Sequence, residues 1–102
     1  MQFIVIAFDG DDAQAQARRL AARPAHLKLV EEATARGEQI LGIAILDDAE
    51  KMIGSLMIMN FPSRAMLDAW LKSEPYVTGN VWKKIDVYNG AIPPSFAHLL
   101  KK

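Results

Sequence analysis

The chain has 102 residues, with 12 Lys+Arg balanced by 12 Asp+Glu and a formal net charge of zero. That length, with 51% hydrophobic residues, suits one domain with one core and excludes a disordered segment. The charge balance argues against a nucleic-acid binder or a polybasic membrane-surface protein, and the absence of cysteine excludes disulfides, thiolate nucleophiles and thiolate metal sites.

The chain opens directly on Met1-Gln2-Phe3-Ile4-Val5-Ile6, with neither a basic n-region nor a small-residue cleavage site. No run approaches the roughly 20 apolar residues of a membrane span. The expected setting is therefore the cytoplasm. Phe3 to Phe8 reads as a strand closed by the turn Asp9-Gly10-Asp11-Asp12. Asp11 or Asp12 is suited to cap the helix of Ala13 to Ala22, which is rich in alanine and arginine. Pro24 disfavours helical geometry at Arg23, so a break is expected there, with a second helix from Pro24 to Arg36 and Gly37 as its stop.

Gln39 to Leu46 and Met52 to Phe61 are the next two strands, and the short polar link between them makes the pair antiparallel. Ser63 caps a helix running to about Ser73, with Met66, Leu67, Trp70 and Leu71 on one face. Glu74-Pro75 ends it. Val81 to Tyr88 is the fourth strand. Residues 89–102 read as a tail: Asn89-Gly90-Ala91-Ile92-Pro93-Pro94 is not expected to continue a sheet, and Ser95 to Lys102 suits a short terminal helix.

The order β-α-β-β-α-β defines a single α+β domain of ferredoxin-like type, a four-stranded antiparallel sheet with both helices on one face. A second face in water would show alternating apolar and polar residues. It does not. Leu41, Ile43 and Ile45 oppose Ile40, Gly42, Ala44 and Leu46 in the second strand; Ser55, Met57, Met59 and Phe61 oppose Leu56, Ile58 and Asn60 in the third. Both faces therefore need a cover, because several large apolar side chains left in water form an aggregation-prone patch. The expected cover is a second copy, two sheets packed face to face as a dimeric α+β barrel. The competing cover is the tail, through Phe96, Leu99 and Leu100.

Chemistry concentrates in two Pro-marked segments, Arg23-Pro24-Ala25-His26 and Ser73-Glu74-Pro75-Tyr76. An imidazole oriented by a carboxylate can move a proton near neutral pH, since the side chain ordinarily titrates at about 6.5. From His26 the helical positions i+3, i+4 and i+7 are Leu29, Val30 and Ala33, so it lies on the face turned to the sheet. Two readings stand there, a boundary histidine with one satisfied bond and a general base. Glu74 is either a solvated charge at a helix end, against the dipole, or a partner of His26 or Arg23. Tyr76 reads as a core aromatic or a hydroxyl donor, Ser55 as a packing gap or a pocket floor, and Arg23 as a solvated charge or an anion anchor. The methionines at 52, 57, 59 and 66 read as core filler, Trp70 and Trp82 as ordinary aromatics, and His98 as a solvated tail residue. No spacing suits a metal, and there is no phosphate loop or nucleophile elbow.

Taken together, the opening strand with its acidic turn, Arg23-Pro24-Ala25-His26-Leu27, Gly37, Gly54-Ser55-Leu56 and Pro75-Tyr76 resemble the YciI-like (YCII-related) family of small bacterial proteins. The resemblance spans nearly the whole chain. It implies a ferredoxin-like protomer in a dimeric α+β barrel, with a site between helices and sheet. The family's His/Asp pair maps onto His26 and Glu74, with Glu where the family has Asp. The chemistry implied is proton abstraction, elimination or isomerisation on small cyclic or aromatic metabolites without a bound cofactor.

Two functions follow. In one, a lyase or isomerase uses His26 as base and Glu74 as its orienting carboxylate, with Arg23, Ser55 and Tyr76 binding an anionic or hydroxylated substrate. In the other, a non-catalytic module binds a small ligand in the same dimer pocket. The expected partners are a second copy of the chain and a small molecule, with no nucleic acid, membrane, metal or cofactor.

Overall fold

The computed structural model describes residues 1–100. In chain order the elements are β1 (Gln2–Asp9), α1 (Ala15–Ala35), β2 (Gln39–Leu46), β3 (Met52–Asn60), α2 (Arg64–Lys72), α3 (Pro75–Thr78) and β4 (Trp82–Gly90). A 3₁₀ turn over Pro94–Leu99 follows. The four strands form one antiparallel sheet in the order β2-β3-β1-β4. This is the ferredoxin-like arrangement, with the core between one sheet face and the helices. Phe3, Val5 and Ala7 of β1 and Met57 and Met59 of β3 bury against Ala33 of α1 and Leu67, Trp70 and Leu71 of α2.

Two local signals work as the sequence suggests. Gly37 adopts φ 79°, and the N–H groups of Gly37 and Glu38 donate to the carbonyls of Thr34 and Ala33 at 3.0 and 2.9 Å. These bonds form the left-handed closure that glycine permits at a helix end. The Ser63 hydroxyl accepts from the Met66 N–H at 3.2 Å and caps α2. In the β2–β3 turn, Asp47 Oδ1 accepts from the N–H groups of Ala49 and Lys51.

Other expectations are corrected. No break occurs at Pro24, which lies inside the single helix α1. A proline there has no N–H for the Leu20 carbonyl and ordinarily costs about 3 kcal/mol. Leu20 and Pro24 are both exposed, so water can serve the freed carbonyl, while Arg19 and Ala33 anchor the helix to the sheet on either side. Packing outweighs the local penalty. Neither Asp11 nor Asp12 is the residue flanking α1; Gln14 is, and the Asp12 carboxylate accepts the Gln14 N–H at 3.1 Å while gripping Arg18 at 2.7 Å.

Met66 is half exposed rather than in the core. The tail begins later than expected, since Asn89 and Gly90 extend β4 opposite Phe3 and Gln2. The terminal helix is only the 3₁₀ turn, without a buried residue, and Lys101 and Lys102 of the expected helix lie outside the described residues.

The second sheet face stays open. Ladder register places Ile4, Ile6 and Phe8 beside Leu56 and Ile58, flanked by Leu41, Ile43 and Tyr88. Leu41, Ile43 and Tyr88 are each more than half exposed, and no residue of the 3₁₀ turn buries itself here. The described part of the tail meets this face only near Ile92, beside Ile4 and Ile58, and leaves Leu41, Ile43 and Tyr88 exposed.

Because α1 is continuous, Pro24→Ala restores one backbone hydrogen bond and removes the ring's clash. It should keep the helical circular-dichroism signal and raise stability by about 1–3 kcal/mol in urea unfolding. Lower stability would mean that the ring itself sets the path of α1.

Candidate active site

Helical geometry alone assembles half of the site. Arg19, Arg23 and His26 stand at i, i+4 and i+7 of α1 and share the face turned to β2 and β3. The other half comes from the corner between α2 and α3. Proline at 75 keeps Glu74 out of helical geometry, at φ −69° and ψ 124°, and Glu74 becomes the N-cap of α3. The expectation of a carboxylate at the end of a helix, against its dipole, is thus corrected: Glu74 begins a turn and its carboxylate accepts a backbone N–H.

Glu74 Oε1 accepts from the Tyr76 N–H at 3.0 Å and from His26 Nδ1 at 2.8 Å, with Glu74 fully buried. A carboxylate oxygen only accepts, so Nδ1 is the donor, and in the neutral imidazole Nε2 then holds the lone pair. The ring is fixed on its flat side as well, stacking on Tyr76 with centroids 3.8 Å apart and planes 11° from parallel. Trp82 closes the edge, 5.5 Å from Tyr76 and 6.4 Å from His26. Trp82 belongs to the buried core and backs the pair without lining the cavity.

Beneath Tyr76 lies a residue that sequence reading missed. Arg19 is buried, with its guanidinium 4.7 Å from the Tyr76 ring centroid. Its Nη1 donates to both Asp9 oxygens at 2.9 and 3.0 Å; its Nη2 donates to the Gly54 carbonyl and Ser55 Oγ at 3.0 Å each. The signal was the i, i+7 spacing from Arg19 to His26, which a break at Pro24 would have dissolved. Burial pushes the Asp9 carboxyl up, against the lowering pull of Arg19, and pushes the Tyr76 phenol up too. At the exposed end of β1, the hydrogen bond from Arg18 holds the Asp12 carboxyl well below its ordinary value.

A cavity of about 160 Å³ opens over this group, walled by His26, Tyr76, Arg19, Arg23, Ser55 and Gln39. Its room comes from short side chains, because Gly42 and Ala44 of β2 sit opposite Met57 and Ser55 in the ladder. Of the five residues singled out in the sequence, Arg23, His26, Ser55 and Tyr76 line this cavity, and Glu74 stands behind His26. Arg23 is exposed at the mouth, and Ser55 is at the floor. The Tyr76 hydroxyl is buried and has no partner among the described residues. A larger hollow of about 500 Å³, between the end of β1 and the β2–β3 turn, is lined by Asp9, Asp11, Asp12 and Asp47 and holds no histidine. Two of its carboxylates are already tied to arginines, so the smaller cavity is the candidate site.

Fold and site together define a ferredoxin-like α+β domain with a part-buried His–carboxylate pair beside a cavity between helix and sheet. The family model of the YCII-related domain matches residues 1–90, and the chain belongs to that family. Among solved structures it is similar to the 5-chloro-2-hydroxyhydroquinone dehydrochlorinase TftG from Burkholderia phenoliruptrix AC1100, in complex with 2,5-dihydroxybenzoquinone. The identity is 21% and the TM-score 0.79, over 93% of this chain and 98% of that one. It is also similar to an antibiotic biosynthesis monooxygenase at 18% identity and TM-score 0.50, over 90% and 98% of the two chains. A dimeric ferredoxin-like protein of unknown function from Jannaschia sp. CCS1 matches at 10% identity and TM-score 0.50, over 89% and 98%. At these identities the likeness is one of fold. No curated protein matches the chain in sequence.

The double acceptance by Glu74 Oε1 has a stability consequence. Glu74→Gln keeps a carbonyl for the Tyr76 and His26 donors, whereas Glu74→Leu leaves two buried donors unpaired. Urea unfolding should find the Leu variant about 2–4 kcal/mol less stable than the Gln variant. Equal stabilities would show that these bonds do not hold the corner.

The raised Tyr76 phenol adds a pH dependence. Folding favours the neutral form, so this contribution is complete below the ordinary tyrosine value of about 10 and is lost as pH rises through the higher folded value. Wild type should therefore lose stability relative to Tyr76→Phe above about pH 10, read by urea midpoints from pH 8 to 11. A constant difference across that range would contradict it.

Proposed function

We propose that this protein is a cofactor-independent lyase or isomerase that moves a proton on a small cyclic or aromatic metabolite. The observation that carries the reading is the 2.8 Å bond from His26 Nδ1 to a fully buried Glu74, at the wall of a cavity. A histidine held in this way presents Nε2 as a base of defined tautomer and direction. Nε2 takes the proton from an acidic C–H or O–H of the substrate, and Glu74 stabilises the imidazolium that results. The stacked Tyr76 ring adds cation–π attraction to that imidazolium.

In an isomerisation the same nitrogen returns the proton elsewhere on the ring; in an elimination a leaving group departs with its electron pair. Dehydrochlorination, named for TftG, is an elimination of this kind, and the ligand in that structure is a small oxygenated ring. Glutamate in place of the family's aspartate suits the role, since its longer arm reaches both His26 and the Tyr76 N–H from one oxygen. Arg23 at the mouth is placed to attract an anionic group, and Ser55 and Tyr76 line the pocket where ligand hydroxyls would lie.

The active form in this reading is a homodimer joined through the open sheet face. A row of exposed and half-exposed Ile, Leu and Phe side chains supports it, as does the small net charge, which leaves little repulsion between copies. The Jannaschia protein of like fold is described as dimeric.

Turnover of chlorinated and unchlorinated hydroxyhydroquinones, followed by absorbance and chloride release, tests the chemistry. His26→Asn should fold, dimerise and lose about 10²–10⁴-fold in kcat. Full activity in that variant would overturn the reading; ligand binding that survives with no turnover in wild type would favour a binding module instead. In light scattering, wild type should run as a dimer and Leu41→Glu as a monomer. A monomeric wild type would remove the dimer from the proposal.

A further inference from the structure

One residue of the cavity wall is held there by an irregularity in the sheet. Strict alternation along β2 would put Gln39 on the same face as Leu41, Ile43 and Ile45, the open one. The register shifts between Gln39 and Leu41: Gln39 pairs with Met59 and Leu41 with Ile58, leaving Ile40 as the extra residue of a bulge. Met59 belongs to the helix-facing core, so the bulge turns Gln39 inward. There the side chain is 3% exposed, on the wall of the same cavity as His26 and Tyr76.

Its amide is only half satisfied. Nε2 makes one long contact, 3.5 Å, to the Leu41 carbonyl, and Oε1 is buried without a donor among the described residues. Gly42 makes the arrangement possible, because a Cβ at that position would lie 2.6 Å from Gln39 Nε2. A bulge, a glycine and burial thus combine to hold a carbonyl oxygen unpaired beside a cavity. An unpaired buried acceptor is costly unless something later supplies its hydrogen.

We propose that Gln39 Oε1 is a specificity-determining acceptor for a hydroxyl group on the ligand, so that the site selects a small ring bearing a free, hydrogen-donating hydroxyl. The proposal rests on reading this cavity as the ligand site and is independent of whether turnover follows. A site that expects a donor disfavours the analogue lacking one, since the carbonyl then stays unpaired. Methylating the hydroxyl keeps the ring and the oxygen and removes only the donated hydrogen. An ionised group in the same place would set a negative charge against the carbonyl oxygen.

The test is a matched pair of probes, hydroquinone and 1,4-dimethoxybenzene, titrated by protein-observed NMR into wild type, Gln39→Met and Gly42→Ala. Wild type should bind hydroquinone in preference to its dimethyl ether by about 5- to 150-fold. Gln39→Met preserves length and removes the acceptor; it should bring the ratio close to one through weaker hydroquinone binding. Gly42→Ala displaces the amide while keeping it and should lower the ratio in the same direction. An unchanged ratio in Gln39→Met, or no saturable binding of hydroquinone to wild type, overturns the proposal. Because binding is the readout, the two readings fail separately: full turnover in His26→Asn with the ratio intact overturns only the proton-transfer chemistry, and a ratio unmoved by Gln39→Met with turnover lost in His26→Asn overturns only this inference.

Discussion

A single buried oxygen, Glu74 Oε1, ties the two halves of the site together. It receives one hydrogen bond from the backbone of Tyr76 and one from the imidazole of His26. The first bond shapes the α2–α3 corner, and the second joins that corner to α1. Hydrogen bonds to a charged acceptor are stronger than neutral ones, and burial raises the cost of leaving either donor unpaired. The oxygen that caps a turn is therefore also the one that aims a histidine, and local folding and site geometry cannot be changed separately.

The second layer is a stack of flat groups. The Arg19 guanidinium, the Tyr76 phenol and the His26 imidazole follow one another, with Trp82 set edge-on. Arg19 holds its end through Asp9, the Gly54 carbonyl and Ser55. Removing one partner from a buried ion pair is far more costly than the pair's own net contribution. The Arg19–Asp9 pair is thus better understood as fixing where the ring sits than as a source of stability. It also joins the end of β1 to β3 beneath the cavity.

The two faces of the sheet have different fates for a compositional reason. On the helix-facing side, small residues at 42, 44 and 55 leave a hollow where α1 passes over β2 and β3. On the other side, Ile, Leu and Phe side chains of β1, β2 and β3 form an apolar surface that the described chain leaves partly exposed. One side has space for a small molecule; the other has area for a protein.

Much was legible in the sequence because it depends on neighbours along the chain. Apolar runs and turn residues marked the four strands. Ser63, Gly37 and Pro75 punctuated the helices, and the two Pro-marked segments supplied His26 and Glu74. Where elements are local, propensity and capping act within a few residues and can be read directly. The tertiary structure decided the rest. Pro24 stays helical because packing on both sides of it outweighs a local penalty, and that continuity is what brings Arg19 onto the face of His26. Glu74 becomes a cap rather than a helix end because α3 forms against α1 and the core. Gln39 turns inward only through a bulge that depends on its partner strand. Each of these was illegible for one reason: its deciding contacts lie far away in sequence, where one-dimensional periodicity carries no information.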